Sequence, residues 1–216
     1  MIALKLKIIA TDKSMLEIVL DLYYLFYVEL RDKQGLNPGS REEYRGDVEE
    51  MFSKGDKIFV AFMNDQPAGF VRISEREGVY WIEEIFVLPN YRGHGIGRAL
   101  VEKAEQFISK KDTAAYVMVL PQDKDAINFW LKMGYRVLNT IELVKEFAPT
   151  SRSKDVRRFE IFGYQVLLPR WQKENLSDLE REYLETLEKF LSKFGREDYL
   201  RIVTEALRKA LHSKDS

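Results

Sequence analysis

Three glycines at alternate positions, Gly93, Gly95 and Gly97, stand between two arginines in the run Arg92-Gly-His-Gly-Ile-Gly-Arg98. Glycine lets a backbone approach an anion closely and turn successive N–H groups towards it, and the arginines add full positive charge. Ile96, Leu100, Ala104, Phe107 and Ile108 then recur at helical spacing, so the run also sits at a helix N-terminus, which carries partial positive charge. The combination is a phosphate cradle, and a pyrophosphate fits it. A plain turn needs neither three glycines nor the flanking arginines. His94, inside the run, touches phosphate or is a solvated loop residue, and has no catalytic role.

Just upstream, Glu83 and Glu84 are adjacent in an otherwise apolar strand pattern, Ile82 and Ile85 to Leu88. Strand alternation sends neighbouring side chains to opposite faces unless a bulge intervenes, so one carboxylate is expected to face a cleft. Its chemistry would be that of a base. A carboxylate so placed can accept a proton from a bound group.

Spacing separates the cofactor classes that use such loops. A Walker loop needs Gly-Lys-Ser/Thr, but Gly97 is followed by Arg98 and Ala99. A dinucleotide fingerprint needs a glycine where Arg98 stands and an acidic residue about 20 positions on, where the chain has Tyr116 to Leu120. What remains is Arg-x-x-Gly-x-Gly after a strand ending Val87-Leu-Pro89. In this the chain resembles the GNAT superfamily of acyl-CoA-dependent N-acetyltransferases, as do the flanking Ile82-Glu-Glu-Ile-Phe-Val87 and Pro89-Asn-Tyr-Arg-Gly93. A second run, Ala126-Ile-Asn-Phe-Trp-Leu-Lys-Met-Gly-Tyr135, is similar to that family's Ala-Ile-x-x-Tyr-x-Lys-x-Gly-Phe.

The resemblance covers roughly Leu4 to Val144. It implies direct transfer of an acetyl group from acetyl-CoA to an amine on a small molecule or a protein, with no metal. Arg92, Gly93, His94, Gly95, Ile96, Gly97 and Arg98 would hold the coenzyme A pyrophosphate. Backbone groups of Ile85, Phe86 and Val87 would pair with the pantetheine and polarise the thioester carbonyl, and Glu83 or Glu84 would be the base. Asp123, Phe129 and Trp130 would complete the cofactor site. Two positions depart from the family pattern: Asp123 replaces a frequent asparagine, and Trp130 replaces the usual tyrosine that protonates the leaving thiolate. The indole is expected to pack on the pantetheine or acetyl end and exclude water. The rival reading is a non-catalytic acyl-CoA-binding or protein-interaction module on the same fold. A third is an RNA contact through Arg152, Lys154, Arg157 and Arg158, a cluster that otherwise reads as a solvated loop.

These residues must be positioned by elements that periodicity predicts. Leu4, Leu6 and Ile8 alternate as a strand. A helix from about Ser14 follows, capped by Thr11 or by Ser14 with Glu17, and apolar enough to be buried on more than one side; its Tyr23, Tyr24 and Tyr27 are core aromatics or border an acceptor pocket. Gln34-Gly-Leu-Asn-Pro-Gly39 breaks it, and Ser40 with Glu43 caps a second helix ending near Lys54. Strands over Lys57 to Met63, Pro67 to Ser74 and Val79 to Leu88 precede the cradle. After the glycine-led helix come a strand at Ala114 to Leu120, a helix at Asp123 to Met133 and a strand at Tyr135 to Val144. The class is therefore α/β, a mixed central sheet flanked by helices, over an acetyltransferase domain of residues 1–148. A linker at 149–158 leads to an extension at 159–216, with a strand from Phe159 to Leu168 and then an α-helical hairpin. Leu176, Leu179, Tyr183, Leu187, Phe190 and Phe194 step through its first helix in near-heptad fashion, as association into a homodimer, a lid or packing on its own domain would require.

Composition narrows the alternatives. Among 216 residues there is no cysteine, which excludes disulfides and thiolate metal sites, and the two histidines, His94 and His212, are far apart. The 34 basic and 35 acidic residues balance, and 14 basic against 12 acidic residues after Pro149 make too mild a split for a nucleic-acid tail. Glu17, Asp21 and Glu29 interrupt the most apolar stretch, Met15 to Leu30, which argues against a membrane span, and no leader pattern opens the chain, so the expected location is cytoplasmic. Abundant charge beside six Asn and six Gln leans towards a thermophilic source.

Overall fold

A computed structural model describes residues 5–169 apart from 35, 146, 148–155 and 162. The chain divides into two compact units, residues 1–172 and 173–216, and all described residues belong to the first. The helical hairpin expected beyond Leu176 lies outside them.

Five strands form one mixed sheet in chain order: β1 (Leu6–Ala10), β2 (Lys57–Met63), β3 (Gln66–Arg76), β4 (Val79–Val87) and β5 (Ala115–Val117). The first four are antiparallel neighbours, and β5 runs parallel to β4. Both hairpins close through two residues at positive φ, Asn64 with Asp65 and Glu77 with Gly78, the turn that matches the strands' twist. On one face Val71, Ile73 and Ile82 pack against Ile96, Leu100, Val101, Ala104 and Ile108 of α3 (Ile96–Ile108). On the other, Ile58, Val60, Phe70 and Phe86 meet Val19, Leu20, Leu22 and Tyr23 of α1 (Leu16–Lys33) and Val48 and Met51 of α2 (Arg45–Lys54). Each large side chain so enclosed contributes about 1.5–3 kcal/mol relative to its exposed state. β2 accordingly reads as a nearly unbroken apolar run, as a strand covered on both faces must. No helix among the described residues is long and apolar enough to cross a membrane.

Several local expectations are corrected. The start of α1 is preceded by a one-turn 3-10 helix whose cap is Asp12, accepting from the Ser14 N–H at 2.8 Å; Glu17 is drawn off to Arg41 and Arg45 and makes no box with Ser14. The Ser40–Glu43 box does form, with the Ser40 N–H donating to the Glu43 carboxylate at 3.0 Å. α1 is covered both by the sheet and by α2, as expected, but one strip stays outward, where Leu25 is 40% exposed. Tyr135 to Val144 is not a strand: the segment is irregular, with Val137 91% exposed, because β5 is three residues long and offers no ladder to join. Instead of one strand from Phe159 to Leu168 there is a separate hairpin, β6 (Val156–Ile161) and β7 (Tyr164–Pro169), turning at Gly163 with φ 80°. Its first strand begins inside the expected linker.

Candidate active site

The mid-point of β4 is irregular. Arg72 pairs with Glu84 but the next residue, Ile73, pairs with Ile82, so Glu83 is an extra residue on β4. Such a bulge undoes the alternation, and both glutamates turn to the α1/α2 face of the sheet. Their partners show this. Arg72 donates to both oxygens of Glu84 at 2.6 and 2.8 Å and to Asp56 at 2.6 Å, while Glu83 accepts from Ser74 Oγ and from Arg76. Glu84 is 7% exposed; burial pushes its carboxyl up from its ordinary value, and the Arg72 guanidinium pulls the other way. Glu83 is the one that lines open space, a cavity of about 540 Å³ that Ser74, Arg76 and Tyr80 also border. Near them, burial pushes the Tyr23 phenol up, and the Glu84 charge adds to it, so that phenol stays protonated.

The strand parts from its neighbour at the same place. Parallel pairing of β4 with β5 runs from Tyr80 with Ala115 to Ile82 with Val117 and stops. Beyond Ile82 that edge of β4, including Ile85, Phe86 and Val87, has no strand beside it among the described residues. That open strand edge runs from the bulge towards the glycine run.

There the cradle takes shape. Gly93 and Gly95 have φ of 80° and 79°, and a side chain on either would project into open space. The ladder of α3 begins with the Ala99 N–H on the Gly95 carbonyl, which leaves the N–H groups of Ile96, Gly97 and Arg98 unspent at the helix start. Gly97 serves a different need, since a Cβ would meet the Phe129 ring at 3.4 Å. Arg98 is exposed and makes no ion pair among the described residues. Arg92 is engaged: its Nε donates to the Val87 carbonyl at 2.9 Å and its Nη2 pairs with Glu29 of α1. His94 faces its own loop, with Nδ1 3.0 Å from the Arg92 carbonyl.

The second signature forms α4 (Lys124–Lys132), capped by Asp123, which accepts from the Ala126 N–H at 3.0 Å and pairs with Lys33 of α1 at 3.2 Å. Phe129 borders the cradle through Gly97. Trp130 is 7% exposed and lies edge-on between Phe129 and Tyr135 in the α3 core. Unspent helix N–H groups, glycines with open space above them and a free strand edge fit an acyl-CoA pyrophosphate and pantetheine.

A model of the acetyltransferase (GNAT) family matches residues 17–135, more than half of the chain. The chain belongs to that family. Among curated family relatives it is 36% identical over 88 residues to the uncharacterized N-acetyltransferase MJ1207 of Methanocaldococcus jannaschii, covering 37% of this chain and 39% of that protein. It is 31% identical over 105 residues to the peptidyl-lysine N-acetyltransferase YjaB of Escherichia coli, covering 47% and 66%. The chain thus matches less than two thirds of either relative's length. The solved complex of aminoglycoside N-acetyltransferase AAC(6')-Iy with CoA matches with a TM-score of 0.54 at 18% identity, over 68% of this chain and 97% of that one, which establishes the GNAT fold.

The structure brings Glu83, Glu84, Ile85, Phe86 and Val87 together along one strand that leads into the cradle. It also adds residues that no motif marked: Arg72 and Asp56 behind Glu84, Ser74 and Arg76 on Glu83, and Glu29 and Lys33 tying α1 to Arg92 and Asp123. Arg72, Ser74 and Arg76 alternate along a strand that is apolar from Pro67 to Val71. That polar stripe was the available signal.

Proposed function

We propose that the chain is an N-acetyltransferase that moves the acetyl group of acetyl-CoA directly to a primary amine. The observation that carries this reading is the parting of β4 from β5 at the bulge, because it leaves a free strand edge between a carboxylate that lines a cavity and the glycine cradle, all on one stretch of chain. Acetyl-CoA supplies the activated acetyl group as a thioester. Unspent N–H groups at the start of α3, with Arg92 and Arg98, hold the pyrophosphate, and His94 shapes the loop from inside. Ile85, Phe86 and Val87 offer backbone groups to the pantetheine and to the thioester carbonyl. Phe129 walls the cradle, Trp130 backs Phe129 and Asp123 fixes the start of α4. Glu83 takes the amine's proton, directly or through a water in its cavity, while Glu84 is spent on Arg72. No proton donor for the leaving thiolate is required, since a thiol of pKa about 8.5 leaves readily at neutral pH. Relatives named for lysine and for aminoglycoside acceptors both act on amines, which supports that acceptor class.

The test is release of free thiol from acetyl-CoA with a panel of lysine peptides, polyamines and amino sugars. Acetylation of at least one amine, dependent on Glu83, is expected. Tight acetyl-CoA binding with no acetylation across the panel would favour the non-catalytic module instead.

A further inference from the structure

The sheet face that carries Glu83 also carries Trp81 and Tyr116, which are cross-strand partners one pair before β4 and β5 part. Their rings lie 5.3 Å apart with planes tilted by 34°, and both are half-buried. Arg76 reaches onto this pair from β3. Its guanidinium carbon is 5.3 Å from the centre of the Trp81 ring, while its nitrogens donate to the Glu83 carboxylate. A cation thus sits between an aromatic face and a carboxylate, beside the place where the two strands part.

This arginine differs from its neighbour. Arg72, with its side chain 14% exposed, is committed to Glu84 and Asp56, whereas Arg76 is 50% exposed, ends β3 and borders the 540 Å³ cavity. It has room to leave. The Glu83 side chain is only 8% exposed, so its carboxylate needs a cation beside it, and the half-exposed Arg76 can return to water when another cation takes that place.

We propose that Trp81, Tyr116 and the Glu83 carboxylate form the subsite for the acceptor's ammonium group, and that Arg76 fills this subsite until the acceptor displaces it. The inference rests on the amine-acceptor reading above and adds what recognises the amine. An ammonium is drawn both to the electron-rich indole face and to the carboxylate, and the methylenes beside it lie on the Tyr116 ring. A guanidinium cannot give up its proton in a protein, so Arg76 can occupy the place without reacting there. A primary ammonium that replaces it can release its proton to Glu83 and become the nucleophile. The ligand class is a primary ammonium on an unbranched alkyl arm, either a free diamine or a lysine side chain.

The experiment is calorimetric titration of the full chain with cadaverine and with Nα-acetyl-lysine amide, each alongside a separate titration with CoA. Arg76→Ala should tighten amine binding about fivefold, Trp81→Leu should weaken it about tenfold and Trp81→Phe should fall between, magnitudes set by cation–π and ion-pair energies. CoA affinity should stay unchanged in all three. The probe that binds more tightly identifies the source of the amine. Unchanged amine affinity in Arg76→Ala and Trp81→Phe, with CoA binding intact, would overturn the subsite, and these two variants carry the result should Trp81→Leu fail to fold. If the wild-type chain binds amines as described but not CoA, the acetyltransferase reading fails while the ammonium subsite stands.

Discussion

The bulge of β4 and the cradle that follows it are a few residues apart on one stretch of chain, yet they are built by opposite means. The cradle is backbone left unspent: two glycines at positive φ, three helix N–H groups without partners among the described residues, and an exposed Arg98. The bulge is side-chain charge almost wholly spent, with Glu84 held by Arg72 and Glu83 by Ser74 and Arg76. A site that takes up a polyanion needs free donors waiting for it. A site that handles a proton needs a carboxylate held in place by its neighbours, with the one partner that must yield to the amine on the open side.

Placing a negative charge in the cradle gives the largest expected effect. Gly95→Glu should cut CoA affinity more than about a hundredfold, through repulsion of the pyrophosphate and occupation of the space above the helix start. Gly95→Ala separates out the backbone cost, since a residue with a Cβ held at φ 79° loses about 1–2 kcal/mol of stability. Calorimetry and thermal melting read the two effects. Equal CoA affinity in wild type and Gly95→Glu would remove the pyrophosphate from this loop.

At the bulge the two glutamates should fail in different ways. Glu84→Gln leaves Arg72 with Asp56 as its one remaining carboxylate partner in a nearly closed site, so unfolding in urea should show a loss of about 2–3 kcal/mol. Glu83→Gln should cost less, about 1–2 kcal/mol, because Gln keeps an acceptor for Ser74 and Arg76 is half-exposed, but should lower kcat by about a hundredfold at neutral pH. That deficit should shrink as pH rises towards the amine's own pKa, where the nucleophile loses its proton unaided. Matching pH–rate profiles for wild type and Glu83→Gln would take the base away from Glu83.

How much of this was legible in the sequence follows from the same contrast. The glycine run is a local signal, since the residues that need positive φ and close approach are themselves the motif, and both its place between strand and helix and the sheet around it were readable. The bulge is a matter of register between β3 and β4, which no periodicity within β4 reports, so the shared face of Glu83 and Glu84 could be raised only as an exception. Tyr135 to Val144 has strand composition but no ladder to join, and strand propensity without a partner does not make a strand. Asp12 took the cap expected of Ser14 because Glu17 had stronger partners in Arg41 and Arg45, both distant in sequence.

A smaller effect is expected at Trp130, which separates the core behind the cradle from the cradle itself. Trp130→Phe should cost about 1–2 kcal/mol of stability by leaving part of its volume unfilled between Phe129 and Tyr135. The acetyl-CoA KM should rise no more than about twofold, because the ring acts through Phe129. A rise beyond about tenfold at unchanged stability would put the indole on the pantetheine, as the family pattern first suggested.

The smallest effect lies where the same carboxylate–guanidinium chemistry is set in water. Glu17 pairs with Arg41 at 2.8 Å and Arg45 at 2.7 Å, and these hydrogen bonds, first that of Arg45 and then that of Arg41, lower its carboxyl from 4.5 to about 2. A carboxyl whose folded pKa is depressed contributes its stability fully above the unfolded value, and that contribution disappears as pH falls through the folded one. The urea midpoints of wild type and Glu17→Gln should therefore differ most at neutral pH and converge between about pH 4.5 and pH 2. The gap at pH 7 should also close in high salt, because these groups are solvated, whereas the Glu84→Gln gap should persist in salt. If the Glu17 gap persists and the Glu84 gap closes, burial is not what separates the two carboxylates, and the account of the bulge as a fixed, enclosed charge site fails with it.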